Sequence, residues 1–285
     1  MTMNHTKFYV QPLGLLRGCS ASNRKFKRIA GGNIFFSTVK IIEHSIDHML
    51  EEFVYVDALD DYLSHQPQEK IKSIRSILEN ISGARAPLHF KNELELNWQK
   101  PVIQGILNIT PDSFSDGGKF EDLSNSLSQA EKMISAGAGI IDIGGESTRP
   151  GAYPVSVKTE KSRVMPVIKE LSEKNCAISV DTRNAAVMTA AIEAGANIVN
   201  DISALSYDTD SINIVNELGV PVVLMHAQGT PEHMQNKPEY KNVVLDIYDY
   251  LESRIEHCVA AGISKDKLII DPGFGFGKTH CYSHV

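Results

Sequence analysis

The sequence predicts an α/β chain: a β/α (TIM-type) barrel, incomplete at about six βα units, preceded by a small α+β N-terminal region. Three observations carry this expectation. Six apolar, β-branched runs each end on a polar residue beside a Gly- or Pro-rich turn: VIQGIL before Asn108, GII before Asp142, AISV before Asp181, NIV before Asn200, VPVVLM before His226 and KLII before Asp271. Between them lie stretches of helical period, the crossover a parallel strand needs before it can pair with the next. Residues 1–95 break this rhythm.

In the N-terminal region, KFYVQ and NIFFSTVKII read as strands, with Gly31 and Gly32 as the turn between them. A helix follows. Pro67 suits its first turn, Ile71, Ile74, Leu78 and Ile81 form one apolar stripe, and Gly83 is placed to stop it. The segment ARAPLHFKNELELNWQK then leads into the barrel, so the domains divide as 1–95 and 96–285. The first barrel helix turns Leu123, Leu127, Ala130, Met133 and Ile134 inward and ends in the small residues Gly137 to Gly139. A second spans Thr159 to Lys174 with Val164, Val167, Ile168 and Leu171 inward, and Pro166 predicts a kink or a late start. Asn184 to Ala194 makes an Ala-rich third helix, and a long helix from Val243 to Ala261, closed by Gly262, precedes the sixth strand. An eightfold barrel takes about 250 residues. The stretch from residue 101 to residue 285 is therefore expected to lack the last two βα units.

A chain of 285 residues with 42% apolar content can bury one sizeable core. Its net charge of -7 excludes a general nucleic-acid or anionic-membrane binder, which needs a basic excess to neutralise phosphates. An anionic ligand must then be held locally. Cys19, Cys176, Cys258 and Cys281 form no C-x-x-C pair, so neither a disulfide framework nor a zinc knuckle is expected, and reduced thiols suit a cytoplasmic location. No apolar run approaches the ~20 residues of a membrane span.

The strand-end loops hold the candidate chemistry. NITPDSFSDGG offers the neutral oxygen of Asn108, the carboxylates of Asp112 and Asp116 and the aromatic Phe114, suited to a phosphate or a hydrated metal. The dull alternative is a turn built from Pro111, Asp112 and Gly117. GGESTRPGA sets Thr148 beside Arg149, a planar donor fork for phosphate or carboxylate, unless that Arg merely pairs with Glu146. Asp181, which only accepts, and Asn200, which donates and accepts, can together with Asp271 read a flat heterocycle bearing N–H, C=O and exocyclic NH2 groups. Against this, Asp181 or Asp271 can simply cap its turn or pair with Arg183 or Lys278. DPGFGFGKT fails as a phosphate loop because Pro272 stands where Gly is required. Phe274 and Phe276 look instead like aromatic platforms. The terminal His280, Cys281 and His284 make a poor metal cage.

In this order, NITPDSFSDGG, DIGGESTRPGA, SVDTR, VNDIS, LMH and DPGFGFGKT resemble the dihydropteroate synthase family over about residues 101–279. YVQPLGLLRG is similar to an extension on some bacterial members. The resemblance implies a barrel that joins 6-hydroxymethyl-7,8-dihydropterin pyrophosphate to 4-aminobenzoate in folate synthesis, releasing pyrophosphate and using Mg2+. It implies Asn108 as the metal and pyrophosphate contact, and Thr148 and Arg149 as second-loop anion contacts. Asp181, Asn200 and Asp271 are implied as pterin readers with Met225 lining the pocket, and Phe114, Pro150 and Phe276 as the enclosure of 4-aminobenzoate. Asp181, Asp271 and Arg149 are the implied catalytic groups. Full-length members continue with a seventh-strand Lys motif and an eighth-strand Arg-x-His, and this sequence contains neither. Three readings stay open at this point: an acting synthase, a truncated and inactive pterin-binding remnant, and a pterin-dependent methyltransferase. Unpaired edges of an open barrel would favour aggregation or association, and a homodimer is one form this allows.

Overall fold

A computed structural model describes residues 6–18, 25–90, 94–109, 119–147, 153–229 and 238–278. The chain divides into two compact units, Met1–Pro87 with Asn97–Pro101, and Leu88–Leu96 with Val102–Val285.

The first unit is built on an antiparallel sheet. Strands β1 (Lys7–Arg17), β2 (Lys27–Arg28), β3 (Ile34–His44) and β4 (Met49–Tyr55) precede helices α1 (Leu59–Ser64) and α2 (Gln68–Ser82). The long β3 is central, with β1 along one side and both β2 and β4 along the other. Both predicted strands are present. The Gly31–Gly32 turn, however, joins the short β2 to β3 and not β1 to β3, closed by the Ile29 amide donating to Ile34 O at 2.9 Å. The predicted stripe of α2 holds, since Ile74 and Leu78 pack with Phe36, Val39, Ile41 and Val54. Pro67 is the N-cap of α2 and Gly83 its C-cap. Sequence reasoning missed β4, whose MLEEFVY mixes acids with apolar residues, and the buried Lys70, whose ammonium reaches Glu52 at 2.9 Å and Glu43 at 3.2 Å.

The second unit carries a two-residue hairpin of β5 (Leu88–His89) and β6 (Glu95–Leu96), then the βα repeats. These are β7 (Gln104–Asn108), α3 (Lys119–Ser135), β8 (Ile140–Gly144), α4 (Val157–Leu171), β9 (Ala177–Asp181), α5 (Ala185–Glu193), β10 (Ile198–Asp201), α6 (Ser211–Leu218), β11 (Val222–Met225), α7 (Val243–Ala260) and β12 (Leu268–Asp271). All six strands from β7 to β12 are parallel and lie in chain order, each paired with its sequence neighbour. This is the predicted six-unit α/β architecture. Leu107, Ile141, Ile143, Ile178, Val180, Val199, Val222 and Leu224 point to one face, where they meet Ala130, Val164, Ile168, Met188 and Val215 of the helices.

Three local expectations change. Helix α4 starts earlier than predicted, at Val157, because Ser156 caps it by accepting the Thr159 amide at 3.1 Å. It runs through Pro166, and the missing hydrogen bond, about 3 kcal/mol in a helix interior, is offset by the burial of Val164, Val167, Ile168 and Leu171. Helix α6 went unrecognised; it is two turns long and stopped by Gly219 in the left-handed region. Asp142 lies in the middle of β8 and Asn200 one residue before the end of β10, so neither terminates its strand.

Ile178→Ala, at a fully buried position facing the helices, is expected to cost about 2–5 kcal/mol by denaturant titration. Ile106→Ala, on the opposite and exposed side, is expected to change stability by less than about 0.5 kcal/mol.

Candidate functional site

Side chains alternate along a strand, so the face opposite the helices receives the other half of each sequence. In register, Asn108 pairs with Gly144, Gly144 with Asp181, and Asp181 with Asn200. Asn200 pairs with Val223, and one pleat further on Met225 pairs with Asp271. Asn108, Asp181, Asn200, Met225 and Asp271 therefore share one face at the C-terminal edge of the sheet. This convergence is what the sequence led one to expect. Gly144 sits within the row, and a Cβ there would lie 3.2 Å from Asn108 Oδ1 and 3.3 Å from Asp181 Oδ2, so its missing side chain lets both oxygens approach. Phe114, Thr148, Arg149 and Pro150, with Asp112, Asp116, His280, Cys281 and His284, lie outside the described residues.

Below this row, Asp142 and Ser179 form the floor; they are register partners, both buried. Asn200 Nδ2 donates to Asp142 Oδ2 at 2.8 Å, bridging β8 to β10 over β9. Burial raises the carboxyl of Asp142, opposed by the hydrogen bond it accepts from Asn200. Burial also raises Asp181, and the negative charges of Asp142, Asp201, Glu160 and Glu146 add to it, holding the group well above the usual carboxylate range. A cation brought near such a carboxyl favours its charged form.

Arg183 does not neutralise Asp181. Its Nε and Nη2 donate to Glu146 at 3.0 and 3.2 Å, and its guanidinium lies 4.0 Å from the centre of the Tyr207 ring. Glu146 also accepts the Val155 amide at 3.0 Å, which ties the two sides of the second loop together. Glu160, raised chiefly by burial, accepts from Asn184 Nδ2 at 2.8 Å. Sequence reasoning missed this buried pair because Glu146 and Arg183 lie far apart in the chain.

After β10 the backbone is strained: Ala204 and Leu205 take φ of 52° and 58°, conformations that cost about 1–3 kcal/mol each. Asp201 holds the turn by accepting from the Ser203 amide at 2.7 Å and the Leu205 amide at 3.1 Å. From α7, Arg254 donates to Ala204 O at 2.9 Å and to Leu205 O at 3.2 Å.

The loop after β12 winds about Lys278. The ammonium donates to Gly273 O at 2.8 Å, Phe276 O at 3.0 Å and His226 O at 3.3 Å, and lies 3.0 Å from His226 Nδ1. A lysine ammonium cannot accept, so His226 Nδ1 must offer its lone pair and the ring is neutral. Burial, then the nearby Lys278 charge, brings the imidazole pKa down to about 4, and burial brings Lys278 down to about 8. Asp271 Oδ1 accepts the Gly273 amide at 2.7 Å, so Asp271 does cap its turn while remaining on the shared face. A Cβ at Gly273, whose φ is 68°, would collide with His226 O. Phe276 is half-buried on this loop and Phe274 is exposed.

Among the described residues, no group of three or more His, Cys, Asp or Glu side chains is arranged to hold a metal ion. None of the described helices is long and apolar enough to cross a membrane.

Because the folded pKa of His226 lies below its unfolded value near 6.5, the unfolded chain binds more protons between those values, and stability falls as pH drops from about 6.5 to 4. His226→Gln is expected to remove this contribution, at most about 3 kcal/mol, as read from stability measured across that window. Arg183→Met leaves Glu146 buried without its partner and is expected to cost about 3–5 kcal/mol by denaturant titration, whereas the double replacement with Glu146→Leu should recover most of it.

The sequence family described as "Pterin binding enzyme" matches residues 104–284. The dihydropteroate synthase of Escherichia coli strain K12 is 47% identical over 197 residues, covering 68% of this chain and 70% of the relative. Among solved structures, the Yersinia pestis dihydropteroate synthase in a sulfonamide drug complex is 47% identical with a TM-score of 0.65, covering 70% of this chain and 72% of that one. The Xanthomonas albilineans dihydropteroate synthase with 4-aminobenzoic acid is 43% identical with a TM-score of 0.62, covering 67% of each. With the strand order, the shared polar face and these likenesses in agreement, the chain belongs to the pterin-binding enzyme family, among its dihydropteroate synthases.

Proposed function

We propose that the chain condenses 6-hydroxymethyl-7,8-dihydropterin pyrophosphate with 4-aminobenzoate, giving 7,8-dihydropteroate and pyrophosphate for folate synthesis. The observation that carries this reading is the placement of Asp181, Asn200 and Asp271 on one face at one end of a parallel sheet. A flat heterocycle with N–H, C=O and NH2 groups needs acceptors and an amide on one side, and this trio supplies them. Met225, buried beside Asp271, gives the ring an apolar contact.

The bond between the exocyclic methylene and the pyrophosphate oxygen breaks with the bonding pair leaving on pyrophosphate, and positive charge spreads over the pterin. The aryl amine then attacks that carbon and gives up a proton to solvent. Carboxylates of Asp181 and Asp271 stabilise the positive charge. Thr148 and Arg149 receive the departing anion, while Phe114, Pro150 and Phe276 enclose 4-aminobenzoate. The unit spanning 96–285 would carry all of this chemistry.

Asn108 Oδ1 fits Mg2+, a hard ion that takes oxygen ligands and is commonly held by one or two protein groups together with substrate phosphates and waters. Asp181 Oδ2 lies across Gly144 from it. When bound, the ion would neutralise charge on the leaving pyrophosphate. The same reading includes a reducing cytoplasmic setting, supported by the free thiols of Cys176 and Cys258. A homodimer is supported by the exposed Ile106 and Ile270 on the two outermost strands.

The test is pyrophosphate release by the purified chain. It is expected only when both substrates are present, with a sulfonamide competing against 4-aminobenzoate, and Asp181→Asn is expected to lower kcat/KM by about 100-fold. A folded sample that binds a pterin but never releases pyrophosphate would reject the catalytic reading and leave a pterin-binding protein.

A further inference from the structure

Asp142 lies beneath the proposed pterin-reading row. The residue is 4% exposed, and its Oδ2 accepts from Asn200 Nδ2 while its Oδ1 has no hydrogen-bond partner among the described residues. The adjacent Ser179 Oγ, fully buried, is likewise without one. An ionised carboxylate has only lone pairs to offer, so an asparagine facing it must turn its NH2 group inward. The carbonyl Oδ1 of Asn200 is then directed away from Asp142. An amide left to itself has no such preference, since rotation by half a turn exchanges its donor and acceptor at little cost.

We infer that Asp142 is a positioning residue that sets the orientation of the Asn200 amide, so that the site prefers a heterocycle presenting N–H or NH2 to Asn200 over one presenting a carbonyl there. This rests on the pterin reading of the site and assigns it a source of selectivity. The neighbouring groups agree with the assignment. Asp181, on the strand between Asp142 and Asn200, has its carboxyl raised by burial and by the negative charges of Asp142, Asp201, Glu160 and Glu146. Arg183 is engaged by Glu146, and Asp142 accepts from Asn200.

The test measures binding of 6-hydroxymethylpterin and of 6-hydroxymethyllumazine, in which a carbonyl replaces the 2-amino group, by titration calorimetry. The wild-type chain is expected to prefer the pterin. In Asp142→Asn, where residue 142 can donate as well as accept, the ratio of the two dissociation constants is expected to fall at least tenfold. Asp142→Glu, which keeps the acceptor, should retain the preference with weaker binding of both ligands. An unchanged ratio in a folded Asp142→Asn variant, however weak the binding, overturns the inference.

If that variant does not fold, the side-chain amide of Asn200 in the wild-type chain decides, its 15N-bound protons being assigned by their loss in Asn200→Ala. One proton is expected downfield and protected from exchange, and both at ordinary solvent-exposed positions would overturn the proposal. A wild-type chain that binds neither ligand would defeat the pterin reading itself, and the amide protons would still report whether Asp142 orients Asn200.

Discussion

The constraint on which the site depends is the burial of several carboxyl groups at and around the C-terminal edge of one parallel sheet. Ionised carboxylates removed from water are costly unless each finds donors or gives up its charge. The chain uses both solutions. Asp201 collects main-chain amides, Glu146 takes the guanidinium of Arg183, Asp142 takes the amide of Asn200, and the carboxyl of Asp181 is held well above its usual range by burial and by its acidic neighbours. The first three of these also tie elements together: the strained turn after β10, the flanks of the second loop, and the floor. The electrostatics and the shape of the site are thus the same set of bonds.

Much of this was legible in the sequence because a parallel strand announces itself twice, by its apolar run and by the polar residue at its exit. The convergence of Asn108, Asp181, Asn200, Met225 and Asp271 follows from that pattern and from register alone. Asp142 was harder to place. In the run GIIDIGG the acid looks like a terminus, yet Ile143 and Gly144 continue the strand and turn Asp142 into its floor. The partners of Lys278 and Arg183 were not legible either, since Arg183 finds Glu146 and Lys278 finds His226 across long stretches of chain, and spacing carries no sign of such pairs. In the N-terminal unit, β4 was lost because its outward residues Glu51 and Phe53 obey no simple alternation of polar and apolar types.

Strain and restraint occur together around the strand exits. Ala204 and Leu205 hold a left-handed backbone without the help of glycine, with the Leu205 amide donating to a strand carboxylate and their carbonyls accepting from a helix guanidinium. A turn held from two sides cannot relax by moving only one of its neighbours. It therefore keeps the end of β10, and Asn200 with it, in a fixed place relative to α7.

The cage around Lys278 differs in kind, because three of its oxygens belong to the main chain and none to the side chains of the loop. The conformation of the segment is consequently indifferent to which residue types occupy 274 and 276. Such an arrangement separates heritable variation in what the loop displays from the mould that shapes it. Exchange of the aromatic at 276 would leave the same curve of backbone in place.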